Sequence, residues 1–282
     1  MAYRLKFKDI CSMLPDRRID AHKGDFGKIL LLCGSVGYTG AATLAAMGAL
    51  RTGAGLVYLG VPSSIYNIVA TKLSVPIVFP LPDVDGKISA EAIDVIGPLF
   101  PKMDAVLIGP GLGLSSETEE FVVSVLKAYK KTIVLDADGI TLVAKHKNVL
   151  RDRTGQTILT PHEGEFLRLS GLETINNRKL CAINIARDLN SIVVLKGHRT
   201  VITDGELTYL NTTGNPGMAV GGSGDVLAGV ITSLTGQGLG PLDAAACGAW
   251  LHGAAGDICA RRIGQYGMLP TDLLRVLPRL MK

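Results

Sequence analysis

Short apolar runs rich in β-branched residues alternate with longer amphipathic stretches along most of this chain, and that alternation leaves few folds open. The runs are Lys28–Cys33, Gly55–Val61, Ala105–Gly109, Thr132–Asp136, Thr157–Thr160 and Ser191–Lys196. Between them lie helix-like segments: Gly40–Gly53, Ser89–Leu99, Glu117–Lys130, Gly164–Leu169 and Asn176–Asn190. A run such as Ile29-Leu-Leu-Leu-Cys33 shows no polar alternation, so a strand built from it is buried on both faces, as in a parallel sheet covered by helices. After Lys196 the pattern changes. Thr200–Thr203 and Glu206–Leu210 flank Asp204-Gly205, a dipeptide suited to a tight hairpin, and helical stretches at Val226–Leu234, Leu242–Ile263 and Leu269–Leu280 finish the chain. No linker composition, low-complexity tract or internal repeat interrupts this order, so residues 1–282 are expected to form one α/β domain.

Composition narrows the function classes. Hydrophobic residues make up 47% and charged ones 19%, which argues against disorder. The net charge of +4 is small and the basic residues are scattered, with only Arg17-Arg18, Lys130-Lys131 and Arg261-Arg262 adjacent, so no nucleic-acid footprint is expected. Mean hydropathy is positive, yet no apolar run approaches the roughly 18 residues of a spanning helix. The first residues lack the apolar block of a signal peptide. Cys11, Cys33, Cys181, Cys247 and Cys259 show no CxxC spacing and read as buried thiols in a reducing cytoplasm.

The most telling motif is Gly214-Asn-Pro-Gly-Met-Ala-Val-Gly-Gly-Ser-Gly-Asp225, running straight into the apolar helix that follows. Glycines let backbone approach a ligand closely, and free N–H groups at a helix start attract anions. A carboxylate at that place would repel a phosphate, so Asp225 makes sense only if it reaches a hydroxyl or proton beside a transferring phosphoryl group. Other loops follow the strand candidates: Gly34–Gly40, Gly109–Gly113, Asp136–Asp138, Thr160–Glu165 and Lys196–His198. In a parallel sheet all of them lie at the carboxyl edge, where such folds bind ligands. Neither GxGxxG nor GxxxxGK[ST] occurs. For Gly34–Gly40 two readings stand, a tight strand-to-helix turn and close backbone contact with a bulky substrate. Asp136 either caps the following turn or joins a water–magnesium network. Lys196 is either a nucleotide-phosphate contact or an ordinary strand-end lysine. Glu163 and Glu165 either answer a helix dipole or help organise Mg²⁺. His162 is a substrate contact or an exposed loop residue, and His252 reads as a residue of close helix packing.

Taken in order, His22-Lys-Gly-Asp-Phe-Gly-Lys28, Thr39-Gly-Ala-Ala42, Arg51-Thr-Gly-Ala-Gly-Leu-Val57, Gly109-Pro-Gly-Leu-Gly113, Val134-Leu-Asp-Ala-Asp138, Thr160-Pro-His-Glu-Gly-Glu165, Lys196-Gly197, Asn215-Pro-Gly217 and Gly221-Gly-Ser-Gly-Asp225 resemble the ADP/ATP-dependent NAD(P)H-hydrate dehydratase family of the ribokinase-like superfamily. The resemblance implies a three-layer α/β/α fold around a mostly parallel sheet. It implies repair of the S epimer of hydrated NADH or NADPH: ADP or ATP, with Mg²⁺, phosphorylates the hydroxyl, and phosphate then leaves. By the same resemblance Asp225 is the base, and the amides of Gly222, Ser223 and Gly224 stabilise the transferring group. Ala41, Ala42, Gly111, Gly113, His162 and Asp225 contact the hydrate. Lys196, Gly197, His198, Arg199, Thr200 and Gly224 hold the nucleotide.

Related kinases carry Asn first in an Asn-x-x-Glu magnesium motif; His162-Glu-Gly-Glu165 stands here instead, which favours the dehydratase branch and leaves Glu165 as the metal candidate. A homotetramer, with no nucleic-acid or membrane partner, is expected. The short stretch ahead of His22 further implies a stand-alone dehydratase, its epimerase on a separate chain. The competing readings are a ribokinase-like kinase of a thiazole or pyrimidine alcohol and a non-enzymatic nucleotide-binding regulator.

Overall fold

The runs without polar alternation end where that pattern requires, in the buried middle of a nine-stranded sheet. The computed structural model describes residues 2–281. Helix α1 (Phe7–Met13) precedes β1 (Lys28–Leu32), α2 (Thr39–Arg51), β2 (Leu56–Pro62), α3 (Tyr66–Lys72) and β3 (Ile77–Leu81). A small ribbon of β4 (Asp83–Val84) and β5 (Lys87–Ile88) follows, then α4 (Ala92–Ile96), β6 (Ala105–Ile108), α5 (Ser116–Ala128) and β7 (Thr132–Leu135). Next come α6 (Asp138–Val143), α7 (Lys147–Arg151), β8 (Thr157–Leu159), α8 (Glu163–Ser170), α9 (Arg178–Asp188) and β9 (Ile192–Leu195). A hairpin of β10 (Val201–Thr203) and β11 (Thr208–Leu210) and the helices α10 (Ser223–Gly236), α11 (Pro241–Ile263) and α12 (Pro270–Val276) complete the chain.

The strand order is β11-β10-β9-β8-β7-β6-β1-β2-β3. Pairing is parallel from β9 to β3, while β10 and β11 form an antiparallel edge. Successive residues of β1 alternate between two cores. Leu30 and Leu32 join Phe121 of α5, Ile140 of α6 and Phe166 of α8. Ile29 and Leu31 join Ala45 of α2, Val69 of α3 and Ala228 of α10. Helices therefore cover both faces, in the expected three layers.

All six expected strands form, within a residue or two of the expected ends. The helix expected over Ser89–Leu99 is shorter, because Pro98 and Pro101 cannot donate to a helical ladder; a 3₁₀ stretch over Gly97–Lys102 replaces its end. Sequence periodicity missed β3, whose Pro80 reads as a breaker. The strand is tolerated because it lies at the sheet edge. The short elements α1, α3, α6, α7 and the β4–β5 ribbon were likewise not foreseen.

One packing arrangement positions the glycine-rich motif. Every residue of α10 from Val226 to Gly236 is buried. The helix lies against α2 through residues without side chains: a Cβ on Gly48 would come within 2.6 Å of the Val226 carbonyl oxygen, and one on Gly229 would overlap the Ala45 carbonyl. Backbone thus meets backbone, and the start of α10 cannot shift without moving α2. Because β10 runs back and β11 runs forward again, the hairpin returns the chain to the carboxyl edge just before that start.

Replacing Gly229 with Ala is expected to destabilise the fold by about 1–3 kcal/mol through overpacking, read as a lowered denaturant midpoint. Ala at Gly97, where the space is open and φ is helical, should leave the midpoint unchanged or slightly raised. Equal effects at the two positions would contradict the backbone-to-backbone packing.

Candidate active site

The sheet reverses its winding between β1 and β6, and ligands of open α/β sheets enter at such a point. Here the Gly34 N–H donates to the Pro110 carbonyl at 2.8 Å, and Ser35 Oγ donates to the Gly111 carbonyl at 2.8 Å, so the two loops are laced together. Gly111 sits at φ 63°, and a Cβ there would come within 2.7 Å of Tyr38 Cβ and 2.9 Å of Ala41 Cβ. Only glycine leaves that space. Ala41 is half-buried at this crevice, whereas the Ala42 methyl is fully buried beside Gly34. Of this pair, Ala41 offers a side chain to the crevice and Ala42 only its backbone. Gly113 donates its N–H to Asp138 Oδ2 at 2.8 Å.

Across the crevice stands the first turn of α10. Gly222 caps it in the left-handed region, at φ 94°. Ser223 is buried, and its hydroxyl has no partner among the described residues. Gly224 lies over two charged groups: its missing Cβ would be 3.4 Å from Lys196 Nζ and 3.8 Å from Asp136 Oδ2. Burial, reinforced by the Asp136 and Asp138 carboxylates and opposed by Lys196, pushes the Asp225 pKa up to about 6. Asp225 is thus a carboxylate of raised basicity at an amide-lined helix mouth.

Beneath the turn lies a buried charge network. Lys196 Nζ is 2.7 Å from Asp136 Oδ1 and 3.9 Å from Glu165 Oε2. Thr160 Oγ1 donates to Asp136 Oδ1 at 2.7 Å. Burial disfavours the Lys196 charge, yet the surrounding carboxylates outweigh it and its pKa is raised. Burial raises the Glu165 pKa, with Lys196 opposing. Ala137, at φ 50°, bends the chain so that Asp136 turns toward Lys196 while Asp138 turns toward Gly113. Strain of this kind persists where the surroundings over-determine it, commonly at functional sites.

His162 and Glu165 form a reciprocal cap on α8. The Glu165 N–H donates to His162 Nδ1 at 3.2 Å, and the His162 N–H donates to Glu165 Oε2 at 2.8 Å. His162 Nε2 lies 3.2 Å from Glu165 Oε1. The helix-dipole and substrate readings therefore coexist here, since the ring is also exposed at the crevice rim. After β9, Gly197, His198 and Arg199 are exposed, and Arg199 adopts φ 55°. Thr200 Oγ1 closes the turn on the Gly197 carbonyl at 3.0 Å. The turn is pinned from below by Arg178, which donates to the carbonyls of Leu195 and Lys196 at 3.0 Å each and pairs with Glu163. Sequence reasoning missed Arg178. It also passed over Tyr38, an exposed aromatic against Ala41 and Gly111, whose signal was a large ring inside a glycine-rich turn.

Among the described residues no three His, Cys, Asp or Glu side chains converge as metal ligands. Both Glu165 oxygens already have partners. That donor set fits a divalent ion carried on nucleotide phosphates, with Glu165 and Asp136 accepting from its waters, since Mg²⁺ typically keeps several waters and takes one or two carboxylates. A cavity of about 530 Å³, lined by Cys11, Arg17, Arg51 and Gln237, lies at the opposite ends of α2 and α10 and contains none of the residues above. All five cysteines are free: Cys33, Cys247 and Cys259 are buried, and Cys11 and Cys181 are half-buried. No helix among the described residues is long and apolar enough to cross a membrane.

Comparison with known proteins now bears on this geometry. The sequence profile of the NAD(P)H-hydrate dehydratase family matches residues 29–279. A bifunctional NAD(P)H-hydrate repair enzyme of Moorella thermoacetica is 44% identical over 96% of this chain and 52% of its own length, so the chain spans about half of that relative. An ADP-dependent (S)-NAD(P)H-hydrate dehydratase of Listeria monocytogenes is 34% identical, covering 98% of this chain and 95% of its own. The crystal structure of an ADP/ATP-dependent NAD(P)H-hydrate dehydratase from Bacillus subtilis, co-crystallised with ATP/Mg²⁺, superposes with a TM-score of 0.83 at 30% identity, over 99% of this chain and 97% of that one.

Because Asp225 holds its proton more tightly in the fold than in the open chain, its ionisation works against folding. Between its ordinary pKa of 3.8 and about 6 the folded state binds more protons, so this group's contribution falls as pH rises through that window. Asp225→Asn should therefore raise the thermal midpoint at pH 7.5 and shrink that gain at pH 4. A midpoint lowered at pH 7.5 would contradict the strained-carboxylate assignment.

Proposed function

The chain belongs to the NAD(P)H-hydrate dehydratase family, and on that premise we propose that it dehydrates the S epimer of hydrated NADH or NADPH, with ADP or ATP as phosphoryl donor. The observation that carries the reading is the Asp225 carboxylate, made more basic by burial and set at the amide-lined mouth of α10.

The chemistry follows from the leaving group. Hydroxide departs poorly at neutral pH, whereas phosphate departs readily. Water added across an enamine double bond leaves the hydroxyl on the carbon that bears nitrogen. Asp225 removes the hydroxyl proton as the oxygen attacks the terminal phosphoryl group of the nucleotide, and the nucleotide departs one phosphate shorter. The amides of Gly222, Ser223 and Gly224 meet the charge that develops on the transferring group. The nitrogen lone pair then expels phosphate, and loss of a proton from the neighbouring carbon restores the double bond. Water's elements leave as phosphate plus the proton, so no oxidant or reductant enters.

The other residues have supporting roles in this reading. Ala41, Gly111, Gly113 and the exposed face of His162 border the hydrate. Gly197, His198, Arg199 and Thr200 form the nucleotide's turn, held by Arg178. Lys196 acts from beneath through Asp136 and Gly224, because its ammonium turns inward. Mg²⁺, once bound with the nucleotide near Glu165 and Asp136, supplies neutralisation of phosphate charge. A homotetramer, the assembly that the resemblance implies, and a cytoplasmic location, in which five free cysteines stay reduced, belong to the same proposal.

Incubation with hydrated NADH and either ADP or ATP should return the absorbance of reduced nicotinamide, with one phosphate released for each cofactor restored. Asp225→Asn should lower kcat by about 10²–10⁴ while nucleotide binding persists. A stable phosphorylated product without absorbance recovery would replace this reading with that of a small-molecule kinase.

A further inference from the structure

Helix α11 holds the chain segment that delivers the glycine turn. The Ala249 carbonyl accepts from Asn211 Nδ2 at 3.1 Å, and the Trp250 carbonyl accepts from Thr213 Oγ1 at 2.9 Å. Asp257 takes the Gly214 N–H at 3.0 Å and Asn215 Nδ2 at 3.1 Å. Gly253 lets that segment lie directly on the helix, since a Cβ there would overlap Thr213. These contacts stop at Asn215, seven residues before Gly222. Between them the chain is largely exposed.

His252, on the same helix, supplies the missing contact. Its side chain is buried, and its ring meets the backbone of Ser223, the first residue of α10. Nε2 has no partner, so the contact with Ser223 belongs to Nδ1. Burial pulls the imidazole down to about 4, with Lys196 adding to that and Ser223 opposing it, so the ring is neutral at the pH where Asp225 is ionised. Two of the five buried polar side-chain atoms without a partner, His252 Nε2 and Ser223 Oγ, belong to this pair. A buried polar atom without a partner weakens a fold, and close helix packing alone would be served better by an apolar side chain. Packing therefore does not account for a histidine here.

We infer that His252 is a positioning residue of the phosphoryl-transfer turn: its ring, anchored on α11, fixes the Ser223 backbone and thereby the direction in which the first turn of α10 presents Asp225. The inference rests on the reading of Asp225 as the base. His252 touches no reacting atom; it acts through Ser223.

Three variants test the role by steady-state kinetics and by amide hydrogen exchange of residues 221–226. His252→Leu removes the contact and the unpartnered nitrogen together. It should keep or raise the thermal midpoint, speed exchange in 221–226 by about tenfold or more, and lower kcat by about 10–100-fold with the nucleotide KM unchanged. His252→Asn places an amide where Nδ1 stood and should restore most of the kcat. His252→Gln places it at the Nε2 position and should not. The last two keep a polar side chain, so they decide the matter even if the leucine variant does not fold. Parent-like exchange and kcat in the leucine variant, equal kcat in the Asn and Gln variants, or kcat losses that follow the thermal midpoint would each overturn the assignment. The exchange measurement needs no substrate. Inactivity of the parent on hydrated cofactor would count against the dehydratase reading alone, whereas unchanged exchange would count against His252.

Discussion

One ammonium placed among four carboxylates organises this molecule. Lys196 lies between Asp136 and Glu165 and below the turn that carries Asp225, with Asp138 close by. Removing one partner of such a buried pair leaves an uncompensated charge and costs about 3–5 kcal/mol. The pair is held from several directions: Asp136 by Thr160, Lys196 by the strand β9, and Glu165 by the cap on α8. Charge positions set by three separate elements do not drift with a single loop. The electrostatics felt by Asp225 are therefore a property of the sheet edge, not of the glycine turn alone.

The same edge carries features that work against stability. Ala137 and Arg199 adopt positive φ, Ser223 Oγ and His252 Nε2 lack partners, and Asp225 ionises at a disadvantage. Elsewhere the fold is conservative. Apolar strands are covered on both faces, and α10 meets α2 backbone to backbone. Local rules broken together at one place, inside a scaffold that obeys them, mark a region shaped by chemistry more than by folding. Rigid packing of α10 is what allows such strain to persist at its first turn.

Much of this was legible in the sequence, and the exceptions have physical reasons. Runs such as Ile29–Cys33 announce strands buried on both sides because burial is written into each residue. Pro80 concealed β3, since a proline is excluded from central strands but not from edges, and edge position is decided by the whole sheet. The inward turn of Lys196 was hidden for a different reason. Its partner Asp136 is 60 residues away in sequence, and only strand order brings the two together. Asp136 and Asp138 look equivalent in Asp136-Ala-Asp138, yet the unusual φ of Ala137 sends them to different partners. Local sequence cannot distinguish two carboxylates whose roles are separated by one backbone angle.

The excess of negative charge also constrains how a phosphoryl donor approaches. Four carboxylates face a single lysine, so a di- or triphosphate meets repulsion unless other positive ends oppose it. Two sources are at hand: the uncapped amides at the start of α10, which carry the positive end of its dipole, and a divalent ion arriving with the nucleotide. Neither competes with Asp225 for its proton as a second lysine would. A site that must activate a neutral alcohol needs its base ionised but not strongly solvated, and partial burial among other carboxylates provides that. Acidic surroundings raise the basicity of Asp225, while amides and a metal ion, both unable to accept its proton, make the phosphate tolerable. The apparent conflict between a carboxylate and a phosphate at one helix mouth is resolved by dividing these two tasks between side chains and backbone.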